Sequence, residues 1–125
     1  MLRTRILIVE DEHLLQKAIG ISLRREGYEV IEAMTGAEAW NVLHVSSIDF
    51  LILDVGLPDY DGLELLREVR AVYPRIPAIV MTAYDAPGLE SRAIEAGASV
   101  FLTKPIVLRA LKAEIQKVRE NRDRE

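Results

Sequence analysis

A chain of 125 residues is one domain's worth of sequence, able to bury a core but too short for two. Half of the residues are hydrophobic and 29% are charged, which excludes a disordered chain. A net charge of −4 gives no electrostatic reason to bind nucleic acid, and the lack of cysteine removes disulfides, thiolate chemistry and cysteine-ligated zinc.

Along the chain, five short apolar runs alternate with five longer amphipathic ones. No run reaches the roughly 18 residues of a membrane span. The start Met1-Leu-Arg-Thr-Arg5 lacks the apolar stretch of a signal peptide, so a cytoplasmic protein is expected. Ile6 to Val9 is continuously apolar, as a strand buried on both faces should be. Leu14, Leu15, Ala18, Ile19 and Leu23 then recur at helical spacing, with Arg24 and Arg25 at the helix end and Gly27 to stop it. Tyr28 to Ile31 predicts a second strand. Thr35-Gly-Ala-Glu38 is a capping-box pattern that opens a helix through about Leu43.

Phe50 to Leu53 predicts a third strand, ending at Asp54. After a loop with Pro58, Asp61-Gly-Leu-Glu64 starts a helix with its stripe at Leu63, Leu66, Val69 and Val72. Pro74 and Pro77 bound the passage to a fourth strand at Ile79 to Met81. A weaker helix from Pro87 to Ala96 stops at Gly97, and Val100 to Leu102 makes a short fifth strand. The last helix carries Leu108, Leu111, Ile115 and Val118 before a charged, fraying end from Arg119 to Glu125. The domain is expected over residues 1–121, with 122–125 as a charged tail. Strict alternation of strand and helix argues for an α/β fold, a parallel sheet with helices on both faces. Such sheets gather function beyond the carboxyl ends of their strands.

Those ends carry Glu10, Asp11 and Glu12 after the first strand and Asp54 after the third. Thr82 and Ala83 follow the fourth, and Thr103-Lys104-Pro105 the fifth. Each has an ordinary reading taken alone: Asp11 as a cap or turn former, Thr82 as a strand residue, Lys104 as a solvated charge. Together they resist it, because crowded carboxylates repel one another and lose hydration. A cation is needed, and all-oxygen ligands with room for water suit Mg²⁺. His13 and His44 are not at zinc-type spacing and are expected on the surface.

Glu10-Asp11, Asp54, Thr82 and Lys104-Pro105, in this order and spacing, resemble the receiver domains of two-component response regulators, the CheY-like family. The resemblance runs on through Asp54-Val-Gly-Leu-Pro-Asp-Tyr-Asp-Gly62, Met81-Thr-Ala-Tyr84 and Gly97-Ala-Ser-Val-Phe-Leu-Thr-Lys-Pro105, so it covers nearly the whole chain. It implies a doubly wound (βα)5 sandwich with strand order 2-1-3-4-5. It makes Asp54 the phosphoacceptor and Asp11 a direct Mg²⁺ ligand, with Mn²⁺ as a substitute. Glu10 would act directly or through water, and Gly56 through its backbone carbonyl. Lys104 would pair with Asp54 and then with the phosphoryl group, while Thr82 offers its hydroxyl and Ala83 its N–H. The Lys104–Pro105 bond is expected to be cis.

Further implications of the resemblance concern switching and partners. Phe101, three residues before the lysine, is the expected switch aromatic, moving inward as Thr82 is drawn to the phosphate. Gly56 and Tyr84 would flank the path of hydrolytic water. The donor would be a histidine kinase or phosphotransfer protein. Output would pass through the face of the fourth helix, fifth strand and fifth helix, with a phosphorylation-dependent homodimer as one form. Ser99 and Val100 stand where regulators of the winged-helix subgroup carry acids, which weakens that subgroup's dimer mode. No nucleic acid or membrane is expected to bind this domain. A free-standing receiver and a piece of a longer regulator both stay open.

Two rivals are disfavoured by the residues themselves. A flavin-binding module of this topology needs a phosphate cradle after the first strand, where Glu10-Asp11-Glu12 would repel phosphate and no glycine stands. A phosphatase with an aspartyl nucleophile would place a second acid two residues on, where Gly56 stands.

Overall fold

The computed structural model describes residues 3–123. Strands β1 (Arg5–Val9), β2 (Glu29–Ala33), β3 (Phe50–Asp54), β4 (Ala78–Thr82) and β5 (Val100–Thr103) alternate with helices α1 (His13–Arg25), α2 (Gly36–Val45), α3 (Gly62–Val72), α4 (Leu89–Ala96) and α5 (Leu108–Asp123). All neighbouring strands are parallel, in the order β2-β1-β3-β4-β5. This is the expected doubly wound sandwich. The reversal of strand order beside β1 and β3 is where such a sheet opens a crevice.

Alternate residues of the central strands feed two separate cores. Leu7, Val9, Leu51, Leu53, Ala78 and Val80 pack with Leu63, Leu66 and Val69 of α3 and Leu89, Ala93 and Ala96 of α4. Ile6, Ile8, Phe50, Ile52, Ile79 and Met81 face Ile19 and Leu23 of α1 and Leu111 and Ile115 of α5. Burial of both faces explains why these strands read as unbroken apolar runs.

Several boundaries differ from the sequence reading, each for a local reason. β2 extends to Ala33, through Glu32, because that carboxylate is paired with Lys17 at 2.8 Å and Arg24 at 2.9 Å. α4 begins at Leu89 and not Pro87: Gly88 caps it with φ of +80°, a left-handed conformation that no helix interior accepts. Leu14 and Val72, placed on the buried stripes, are 84% and 58% exposed. Gln16 and Leu65 are buried in their helices instead.

The end of α5 departs most. Helix continues to Asp123 where fraying was expected from Arg119. The Arg119 guanidinium lies 5.3 Å over the Tyr28 ring and donates to its hydroxyl at 3.1 Å, and Arg122 donates to the Asp49 carbonyl. These contacts hold the last turns against the sheet edge. Residues 1 and 2 at the start, and 124 and 125 of the charged tail, lie outside the described residues.

Candidate phosphoacceptor site

At the carboxyl edge of the sheet, β3 delivers Asp54 and β4 delivers Thr82, 5% and 4% exposed. β1 runs into Glu10, fully buried, while Asp11 next to it is exposed. Glu10 is locked from two sides. Its carboxylate Oε2 accepts from the Glu12 N–H at 3.0 Å, and its carbonyl accepts from Gln16 Nε2 at 3.1 Å. The same amide donates to the Ala33 carbonyl at 2.8 Å, tying α1 to the ends of β1 and β2.

Lys104 closes the site. Its ammonium lies 2.8 Å from Glu10 Oε1, 2.9 Å from Glu12 Oε1 and 3.0 Å from Asp54 Oδ2. The backbone places it there, since Lys104 N–H donates to the Thr82 carbonyl at 2.7 Å and the Lys104–Pro105 bond is cis, as expected. Burial opposes the lysine's charge, but its hydrogen bonds to Glu10, Glu12 and Asp54 outweigh it and raise its pKa. Glu12 was grouped with the acids after β1, but its pairing with Lys104 has no sequence signal. The two are 92 positions apart.

One ammonium does not balance this many acids. Burial raises Glu10 to about pH 7, against an ordinary 4.5, with Lys104 and the Glu12 N–H pulling the other way. Among the described residues, the Lys104 ammonium at 2.8 Å is the one cationic partner of the buried Glu10 Oε1. Carboxylate oxygens of Glu10, Asp11 and Asp54 lie within 4.8 Å of one another. Three carboxylates converging beside a single ammonium form an all-oxygen donor set that fits a divalent cation.

This gives a pH prediction for the metal-free protein. The folded value of Glu10 lies above its ordinary one, so its contribution to stability is complete below about pH 4.5 and lost as pH rises through about 7. A cation favours the carboxylate, so the rise in melting temperature produced by Mg²⁺ should grow from pH 5 to pH 8. Glu10→Gln should flatten both trends. Parallel melting curves with and without Mg²⁺ would expose an error if the Mg²⁺ effect were independent of pH.

The loop after Asp54 is built for close approach. Asp54 Oδ1 accepts from the Gly56 N–H at 3.1 Å, and Gly62 N–H returns to the Val55 carbonyl at 2.8 Å. A Cβ on Gly62 would sit 2.4 Å from the Asp54 carbonyl oxygen, so no side chain fits there. On Gly56 it would point to Asp54 Oδ1 from 3.9 Å, which puts this position beside the carboxylate. Asp61 caps α3, and Asp59 reaches across to accept from the Gly36 and Ala37 N–H groups at the start of α2. Sequence reading assigned Asp59 no role and saw in Gly62 only part of a cap.

On the other side the site is open. Ala83 and Tyr84 are exposed, Tyr84 by 77%. Thr82 Oγ1 accepts from the Tyr84 N–H and donates to the Tyr84 carbonyl, both at 3.0 Å. Phe101, half-buried, packs at the edge of the α3–α4 core opposite Val80. His13 and His44 are exposed, His44 stacked on Trp40.

Comparison with known proteins agrees with this geometry. Residues 6–116 match the family model of the response regulator receiver domain. The chain is 37% identical over 101 residues to the transcriptional regulatory protein GlrR of Escherichia coli, covering 81% of this chain and 23% of that protein. It is 36% identical over 112 residues to the response regulator MprA of Mycobacterium avium, covering 90% and 49%. A CheY-like receiver domain from Methanospirillum hungatei superimposes with a TM-score of 0.94 at 28% identity over 98% of each chain. The chain belongs to the response regulator receiver domain family. It is a phospho-acceptor signalling domain of two-component systems, spanning less than half the length of these two curated relatives.

Proposed function

We propose that Asp54 is the phosphoacceptor and that the domain works with Mg²⁺ as a switch carrying its own phosphorylation and dephosphorylation chemistry. The observation that carries this is the one ammonium, Lys104, shared by Asp54, Glu10 and Glu12 where the carboxylates of Glu10, Asp11 and Asp54 converge within 4.8 Å. Attack by an Asp54 oxygen on a phosphohistidine phosphorus forms a P–O bond as the P–N bond breaks, its electrons leaving with the imidazole. Lys104, 3.0 Å from Asp54 Oδ2, would reach the phosphoryl oxygens that gain charge. Thr82 Oγ1 and the Ala83 N–H provide further donors, and such preplaced groups are what phosphoryl transfer asks for. Glu10, Asp11, Asp54 and the Gly56 carbonyl would hold Mg²⁺ or Mn²⁺, which when bound neutralises charge on the phosphoryl oxygens.

The donor is a histidine kinase or phosphotransfer protein of the cytoplasm. The response passes from Thr82 to Phe101 and out through α4, β5 and α5, to an output partner, an attached domain or a second copy. The receiver unit is assigned to residues 1–121. Among the described residues no helix is long and apolar enough to cross a membrane.

Intact mass after incubation with acetyl phosphate and Mg²⁺ tests the assignment. One alkali-labile phosphoryl group is expected on the wild type and none on Asp54→Asn. A single adduct persisting on that variant, mapped outside the acidic pocket, would overturn it. Gly56 offers no side chain to orient water, and the Tyr84 ring stands exposed at the mouth. The adduct on Tyr84→Ala should therefore decay faster; equal decay rates would remove Tyr84 from the water path.

A further inference from the structure

The strand ends opposite Asp54 hold a second concave site that the signalling chemistry does not use. It lies between the C-terminal ends of α3 and α5 and the start of β5, with a cavity volume of about 860 Å³. Arg70, Arg75, Lys117 and Arg122 line it, against one acid, Glu114. In a chain with 16 basic and 20 acidic residues, that local excess is not the average surface. Pro74, Pro77, Val100 and Val118 supply an apolar wall.

Arg70 gives the site a fixed element. Its Nη1 donates to the Pro74 and Ile76 carbonyls, and its Nη2 donates to the Gly97 carbonyl at 2.7 Å. The guanidinium is thereby held in place with its rotamer entropy already lost, and among the described residues its charge meets carbonyl dipoles and no carboxylate. Partial burial lowers its pKa. Among the described residues, neither Arg75 nor Arg122 forms a salt bridge, and Lys117 reaches Glu114 only at 3.7 Å.

We propose that this groove binds a phosphorylated small molecule, free polyphosphate or the polyphosphate of a nucleotide. Arg75 and Arg122, both exposed, can offer guanidinium N–H groups to phosphate oxygens, while Arg70, its N–H groups largely engaged by carbonyls, adds fixed positive charge. The volume lies within the roughly 300–1,000 Å³ of small-molecule sites, and the apolar wall can take a base or sugar. The groove touches Gly97, which caps α4, and Val100, which opens β5, so an occupant would bear on the proposed output elements.

The test is titration of the whole chain with pyrophosphate and separately with ATP, in metal-free buffer at low salt, followed by backbone amide NMR. Without metal the Asp54 pocket is acidic and does not compete. Saturable shifts confined to residues 70–77, 97–100 and 114–122 are expected. Arg75→Glu and Arg122→Glu, both at exposed positions, should each weaken binding about tenfold, as loss of a charge-assisted contact implies. Arg109→Glu, outside the groove, should leave it unchanged. Equal affinity for both probes would assign recognition to phosphate alone, and tighter ATP binding would add the apolar wall. Absent or non-saturating shifts, indifference to the groove variants, or tighter binding of an oligoglutamate peptide would each overturn the proposal.

Discussion

Gly62→Ala is expected to cost about 3 kcal/mol, at the upper end for overpacked sites. The added Cβ would meet the Asp54 carbonyl oxygen at 2.4 Å, Val55 Cα at 2.6 Å and the Val55 carbonyl oxygen at 2.9 Å. All three are backbone atoms, so no rotamer change relieves the contact. The start of α3 or the segment after Asp54 must shift, breaking the Gly62 N–H bond to Val55. Phosphoryl uptake from acetyl phosphate should fall along with stability, because Asp54 and Gly56 belong to the segment that moves.

Gly27→Ala is the matching control. Its φ of +94° disfavours a side chain, but nothing lies within 4 Å, so about 1 kcal/mol is expected. Chemical denaturation of both variants gives the comparison. Equal costs would mean that the loop accommodates a methyl group and that its closeness is not structural.

Lys104→Met should destabilise the metal-free protein by about 2 kcal/mol at pH 8 and by less at pH 5, where the pairing with Asp54 is still lost. Removing one member of a buried pair typically costs about 3–5 kcal/mol. Glu10 limits the loss here, because its pKa is already about 7 and it can take up a proton when its cation is removed. Each pH unit of forced protonation is worth about 1.4 kcal/mol, and Asp54 also loses its partner. At pH 5 Glu10 is neutral in either protein. Millimolar Mg²⁺ should recover more stability in the variant than in the wild type at pH 8. A loss of the same size at both pH values would mean that the protonation of Glu10 is not coupled to Lys104.

Strand and helix order, and the convergence of Glu10, Asp11, Asp54, Thr82 and Lys104, followed from alternating patterns and from what this topology does with strand ends. The family resemblance supplied the cis Lys104–Pro105 bond. Gln16 was not legible, since one glutamine on a helix gives no sign that its amide will join two strand ends. Glu32 was misread as lying beyond β2 because its two cationic partners sit on α1, a contact with no local signature. The helical end of α5 was missed for the same reason: Arg119 and Arg122 look like tail charges until Tyr28 and Asp49 are placed beneath them.

The cross-link from Asp59 to the start of α2 makes the pocket mechanically lopsided. Toward α2 and α3, the segment after Asp54 is riveted by Asp59 to Gly36 and Ala37, by Asp61 to the first turn of α3, and by Tyr60 to Glu68 at 2.6 Å. Toward α4, the segment from Ala83 to Gly88 is mostly exposed, and its side-chain tie is the turn between Thr82 and Tyr84. On the proposed reading, a group added to Asp54 would meet a braced wall on one flank and a loosely tied loop on the other, so any displacement would have a direction before a partner arrives.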